Sequence, residues 1–405
     1  MKLETFLITF YLNAAILLTV VAVLVFLWMP RLQKIPTWRA MTTPLASIIG
    51  SGFLVLGPIL NDSYGKYAPL VMAALCVGAY LFGAAIRYNI TVDEKGHRII
   101  DGLETASSWA LGFAYIISVA YYLNLFGAFG VSMTAVDGPA NAKLLTTAIF
   151  IIILTVGWRR GFKALEGMEY VSVTLKLAII SGLLVGLAAY FYTKTTMGSL
   201  VATPATQTGW AAVTLAFGLI VTVQGFETSR YLGADYDATT RVRSMKWAQW
   251  VSSVIYMIYI LLLAYVFKAG DVVLSETAII DMMRFVAPIL PVLLVAAALA
   301  AQFSAAVADT SGAGGLISEL TKNRISPRMA YALLAGSGVA LTWTANIFEI
   351  ISYASRAFAL YYTLQAVIAA LKASGRKGDR LKTIGFAALA LLGVLIVIFG
   401  KAIAA

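Results

Sequence analysis

The sequence predicts an all-α polytopic membrane protein of about 12 transmembrane helices. Ten of them form a 5+5 inverted-repeat core whose first and sixth helices are discontinuous, and one extra helix precedes it. Three observations carry this expectation. Of 405 residues, 60% are hydrophobic and only 12% charged, with a mean hydropathy of +0.86; a soluble domain carries about twice that charge. Two apolar runs are interrupted at their middles by glycine and polar residues. The interruptions lie 173 residues apart, Gly52 to Gly225, and later runs keep nearly that offset.

Composition also excludes classes of chemistry. The single cysteine, Cys76, lies in an apolar run, so no disulfide framework or thiolate metal site is expected. The single histidine, His97, falls in a polar loop and reads as a solvated residue. No HExxH, P-loop or GxSxG pattern occurs, and no basic domain offers a nucleic-acid surface. The expectation is therefore no enzyme, no cofactor, no resident metal and no nucleic-acid partner.

The opening run, 5–29, carries no central break and no small-residue cleavage site, so it reads as a retained accessory helix. After the basic loop with Arg31, Lys34 and Arg39, the run 43–61 contains Ser47-Ile-Ile-Gly-Ser-Gly-Phe53. Each glycine in a helix costs about 1 kcal/mol relative to alanine. Close packing of a neighbouring backbone is one reason to accept that cost. The reading adopted is a helix broken at mid-membrane, whose freed amides and carbonyls line a cavity.

A turn is expected at 61–65, then the run 67–88 and a polar loop over 89–104. The run 106–133 is rich in aromatics, and Tyr121 and Tyr122 fall near its middle, where a hydroxyl needs a partner and one faces either packing or the cavity. The run 143–158 ends in the basic turn Gly157-Trp-Arg-Arg-Gly-Phe-Lys163, and 166–192 carries Lys176 inside the span. That lysine either snorkels or serves function.

The run 209–233 contains Thr222-Val-Gln-Gly-Phe-Glu227, the counterpart of the first break, with Arg230 just beyond. The runs 244–268 and 285–318 follow, the latter with Asp309, Thr310 and Ser311 beside a glycine cluster. The runs 328–345, 346–370 and 382–402 close the chain. Arg356 falls inside a span, with Glu349 the charge partner to consider.

Charge gives the orientation. With the first loop taken as cytoplasmic, 20 of the 30 Lys and Arg residues fall on that side, 7 on the other, and Lys176, Arg230 and Arg356 inside spans. Positive loops stay inside, which places both termini outside the cytoplasm. Runs beginning near 67 and 244, and near 106 and 285, repeat the offset at about 177 and 179 residues. Five spans per half force opposite orientations. The expected units are 1–40 (accessory helix and linker), 41–208 (first repeat), 209–372 (second repeat) and 373–405 (last helix).

These stretches resemble the amino acid–polyamine–organocation (APC) superfamily over roughly residues 40–372. Ser47–Phe53 is similar to its first-helix Ile-Gly-Ser-Gly motif, and Gly225-Phe226-Glu227 to its sixth-helix Gly-Phe-Glu. Gly161-Phe-Lys163 with Lys176-Leu177 resembles its fifth-helix Gly-Val-Lys…Lys-Leu pattern, and 323–327 the loop closing its eighth helix. The chain departs from the pattern at Gly315, where a basic residue is common, in its extra first span and at Arg230.

The resemblance implies a LeuT-like fold and secondary active transport by alternating access in an inner, cytoplasmic bacterial membrane. The expected substrate site is Ile49, Gly50, Ser51, Gly52, Thr222, Val223, Gln224, Gly225, Phe226 and Glu227, with Tyr121 and Tyr122. Helix starts favour a carboxylate and helix ends an ammonium, so an amino acid or related amine is the leading solute. The expected partners are that solute, a proton and the lipid bilayer. Oligomeric state stays open.

Coupling is assigned to Lys176, Asp309, Thr310 and Ser311. In sodium-coupled relatives of this fold a cation lies between the first and eighth helices; here Thr310, Ser311 and the carbonyls of Ala46 or Ile49 would hold it. By its match to the fifth-helix lysine of sodium-independent members, Lys176 would put an ammonium there instead. Desolvation disfavours a charged amine, which lets Lys176 give up and regain a proton. The rival expectations are an inorganic-ion (metal or potassium) transporter on the same fold, and a non-transporting membrane sensor or subunit.

Overall fold

In the computed structural model of the chain, residues 2–50, 52–92, 98–160, 168–233, 235–268 and 270–403 are described, apart from the side chains of 2–6, 160, 168 and 169. Ser51, His97 and the Gly161-Phe-Lys163 motif lie outside the described residues. Every element among the described residues is helical. In order these are α1 (Lys2–Leu27), α2 (Pro30–Gln33), α3 (Pro36–Ile48), α4 (Gly52–Tyr64), α5 (Ala68–Thr91), α6 (Arg98–Val131), α7 (Pro139–Arg160) and α8 (Met168–Thr196). Then come α9 (Gly209–Gly218), two 3-10 segments (Ile220–Val223 and Phe226–Tyr231), α10 (Ala238–Ala264), α11 (Ala278–Arg284), α12 (Ile289–Leu320), α13 (Pro327–Thr344), α14 (Ile347–Ser374) and α15 (Arg380–Phe399).

Nine helical stretches among the described residues are long and apolar enough to cross a membrane. One of the nine, Gly52–Thr91, joins α4 to α5; with α4 counted with α3 instead, and with the 18-residue α13 and α9 with its 3-10 turns added, they occupy the twelve apolar runs of the sequence. The chain is an all-α polytopic membrane protein.

Local chemistry sets the helix ends. Pro36 and Pro327 open α3 and α13 at positions where no amide is needed. The Thr240 amide donates to Asp237 at the start of α10 (2.9 Å), and hydrogen bonds from the Thr240 side chain and then from its amide hold the Asp237 carboxyl below the usual carboxylate range. Asn346 and Glu349 form a reciprocal capping box on α14, at 2.9 and 2.8 Å. Glu349 is therefore spent on its own helix and is not the partner of Arg356. Lys322 and Asn323, at φ 52° and 62°, end α12 in left-handed geometry.

Several boundaries differ from the sequence expectation. α4 runs through 61–64, and a short 3-10 turn, Gly65–Tyr67, follows, opening at Gly65 with φ +49°, where the Lys66 amide meets the Thr203 carbonyl at 2.9 Å. Helix covers much of the expected 89–104 loop, because α5 reaches Thr91 and α6 begins at Arg98. Arg87 and Lys372, counted with the loop charges, are buried on α5 and α14. Phe285 precedes α12, which opens at Ile289 after the separate helix α11.

The packing centre is α6, which lies along α12 and α14, while α15 packs on α14. The extra helix α1 docks on α8. A Cβ at Gly182 would lie 2.7 Å from Val20 and one at Gly186 3.2 Å from Ile16, so small residues admit the approach. The Trp28 indole donates to Thr174 (3.0 Å) and the Tyr170 hydroxyl to the Leu27 carbonyl (2.5 Å). α1 thus braces the helix that carries Lys176, two residues from its anchor.

Candidate functional site

The first interruption begins where Ile49 leaves helical geometry, at φ −84° and ψ 61°. The helix before it ends at Ile48, and helix resumes at Gly52. Ending a helix leaves its last carbonyls without amides. Side chains from two other helices supply donors here. The Lys176 ammonium donates to the Ala46 carbonyl, and the Tyr256 hydroxyl to that of Ile48 at 3.0 Å.

The second interruption begins ahead of the Thr222–Glu227 stretch that marks it in the sequence. α9 stops at Gly218, a 3-10 turn covers Ile220–Val223, Gln224 is extended and Gly225 takes φ +117°. Ser355 of α14 caps its start, donating to the Gly218 carbonyl (2.7 Å) and accepting from the Val221 amide (3.1 Å). Glu227 accepts from the Gly225 amide (3.0 Å) and from the Tyr362 hydroxyl (2.8 Å). The carboxylate thus occupies the positive end of the segment that follows. Phe226 stacks on the same Tyr362 ring, 5.1 Å between centroids.

The two interruptions touch. A Cβ on Gly225 would lie 2.5 Å from the Ser47 Cβ, and one on Gly52 2.9 Å from both the Thr222 Cα and the Tyr121 hydroxyl. Glycine is required at 225 by both conformation and contact. In this conformation the Thr222 backbone and the Tyr121 hydroxyl fill the space in front of Gly52. Tyr256 ties the crossing together, because its hydroxyl is also 2.6 Å from the Thr222 carbonyl. One phenolic proton is shared between two carbonyls. Val223 lines a small cavity beside this knot with Ile48, Cys76 and Tyr256.

Tyr121 and Tyr122 are both buried. The Gln224 amide donates to the Tyr122 hydroxyl (3.2 Å), while the Gln224 carbonyl oxygen is buried without a hydrogen-bond partner. One turn before Tyr122 on α6, Ser118 donates to the carboxylate of Asp309 on α12. Asp309 and Gln224 are thus linked to neighbouring turns of one helix. Thr310 is buried and spends its proton on the Ala306 carbonyl of its own helix (2.6 Å); Ser311 is half-buried.

Lys176 is not a snorkelling lysine, being 3% exposed. Its ammonium meets the Ala46 carbonyl, one of the oxygens that the sequence suggested for a cation.

Below the second interruption, Glu104 receives two cations, Arg230 at 2.7 Å and Lys372 at 3.6 Å. Gln365 accepts from Arg230 and from Asn89 (2.9 Å) and donates to Ser107 (2.8 Å). This cluster fastens α5, α6 and α14 to the segment after Glu227. Sequence reading missed Tyr256, Ser355, Tyr362 and Ser118. The signal for them was the one used for Tyr121 and Tyr122, a hydroxyl inside an apolar run.

Two interrupted membrane helices that cross at their breaks, with a buried ammonium and carboxylates around them, define a transporter-like membrane protein. The sequence matches the family described as APC superfamily transporter over residues 30–400, beginning after α1. An uncharacterized protein of Aquifex aeolicus (strain VF5) is 43% identical over 390 residues, which cover 94% of this chain and 95% of that protein. The chain belongs to the APC superfamily of transporters.

Proposed function

We propose that the protein is a secondary active transporter of a small organic solute, an amino acid or related amine, that works independently of sodium and is driven by protons. The observation that carries this reading is the Lys176 ammonium on the Ala46 carbonyl. Two like unit charges 4 Å apart repel by about 4 kcal/mol at an effective dielectric constant of 20. A sodium ion and this ammonium therefore exclude each other. Proton release and return at Lys176 replaces ion binding as the coupling step, and Asp309 is a second proton-accepting candidate.

Solute recognition is assigned to Ile49, Gly50, Ser51, Gly52, Thr222, Val223, Gln224, Gly225, Phe226 and Glu227, with Tyr121 and Tyr122. The start of α4 suits a carboxylate. The unused Gln224 oxygen, with Asp309 nearby along α6, suits an ammonium. We place the protein in a bacterial inner membrane with both termini on the non-cytoplasmic side, on the strength of the loop charges.

A melting-temperature screen of amino acids and amines on the purified protein selects the solute. Labelled uptake into liposomes then tests transport. Uptake of labelled rubidium or divalent metal, with no amino acid or amine taken up, contradicts the organic-solute reading and favours the inorganic-ion one.

A further inference from the structure

Arg356 has no part in the site described above. Its Nε donates to the Gly400 carbonyl (2.9 Å) and its Nη2 to the Ile398 carbonyl (3.5 Å). Both partners are neutral, and Arg356 forms no ion pair among the described residues. A guanidinium has five N–H donors, so two bonds leave most of them unused and the charge uncompensated.

Depth follows from α15. Its 20 residues rise about 30 Å, the thickness of the hydrocarbon layer. Arg380 and Lys382 stand at one end, so the Ile398 and Gly400 carbonyls, with Arg356 on them, lie at the opposite boundary. The exposed Trp210 ring packs on Phe399 at 5.4 Å, an aromatic at the level where membrane interfaces gather them.

Arg356 also lines a groove of about 680 Å³ on the outer surface of the helix bundle. Apart from Ser337 and Tyr353, its walls are apolar and come from α6 (Phe113, Ile116), α13 (Leu333, Leu341), α14 (Leu360) and α15 (Val397). The groove runs from Leu341, one turn from the end of α13, to Leu333 in its first half. Apolar walls about 12 Å long, with a guanidinium at the boundary that has no ion pair among the described residues, match the upper part of an amphiphile with an anionic head. A guanidinium fits phosphate in a bidentate fashion.

We propose that this groove is a specific site for one anionic phospholipid, with its phosphate on Arg356 and an acyl chain along Phe113, Leu333 and Leu360. The test is native mass spectrometry of the delipidated full-length protein. Phosphatidylglycerol and phosphatidylcholine of identical acyl chains compete for it. Wild type should retain one phosphatidylglycerol with about tenfold preference, the size of effect one charge-assisted pairing gives. Arg356→Gln should bind both lipids equally, and Arg356→Lys should keep part of the preference. Leu360→Trp, which narrows the groove and leaves the charge, should lower retention of both. If Arg356→Gln does not fold, the lysine and tryptophan variants decide. Equal retention of the two lipids by wild type overturns the site, as does an unchanged preference in Arg356→Gln. Lipid-free dimers would put a second copy in the groove and overturn it equally.

Discussion

The ammonium of Lys176 donates to the carbonyl of Ala46, in the last turn before the first helix breaks. A helix end needs donors for its carbonyls, and here the donor is a side chain whose charge a proton can remove. Loss of that proton halves the attraction on offer, because a neutral amine makes a weaker hydrogen bond than an ammonium. The end of α3 then has less to hold it against α8. Under the proposed proton coupling, this would link protonation to movement of the first half-helix without any bound ion.

The glycines give a graded prediction. Gly225→Ala forces a side chain into φ +117° and onto Ser47 at 2.5 Å. Left-handed geometry alone costs an L-residue about 1–2 kcal/mol, so the melting temperature should fall and uptake should be lost. Gly315→Ala in α12 meets nothing within 4 Å and should stabilise by about 0.5–1 kcal/mol, leaving uptake intact. Equal melting temperatures for the two variants would contradict the close crossing at Gly225.

Tyr256→Phe removes the hydroxyl shared by Ile48 and Thr222 and nothing else. A buried carbonyl left without its donor costs about 1–3 kcal/mol. The variant should fold with lowered thermal stability and show weaker solute-induced stabilisation in the same melting assay, since both breaks lose their common tie. Wild-type stability would show that the bridge contributes nothing.

Glu104 faces two cations, so its removal should do more damage than removal of either partner. Glu104→Gln takes the shared carboxylate from both Arg230 and Lys372 in a half-buried site. Lys372→Met leaves a balanced Arg230–Glu104 pair. Breaking a buried pair costs about 3–5 kcal/mol, and partial exposure of Glu104 reduces that. Denaturation of both variants in detergent should rank Glu104→Gln as the less stable. The reverse ranking would contradict the charge count.

Much of the fold was legible in the sequence. Twelve apolar runs, a glycine-broken segment at 43–61 and a second at 209–233 required only hydropathy and helix propensity. Lys176 was legible as an intramembrane charge, since a charge there needs a partner. The width of the second break was not. Ile220–Val223 is β-branched throughout and apolar apart from Thr222, and nothing local says that Ser355, 134 residues from Val221, will cap it in a 3-10 turn. Arg356 and Glu349 were paired by proximity in sequence, whereas the capping geometry of Asn346 had already committed Glu349. Tertiary donors decide such cases, and their partners lie far along the chain.

The most direct test is solute uptake into proteoliposomes, by wild type and Lys176→Ala, under separately imposed sodium and pH gradients. The substrate is the compound selected by the melting screen. The account predicts wild-type uptake that ignores the sodium gradient at fixed pH and rises with an inward proton gradient, and a Lys176→Ala protein that has lost the pH response. Sodium-stimulated uptake by wild type, or an unchanged pH response in Lys176→Ala, would contradict it.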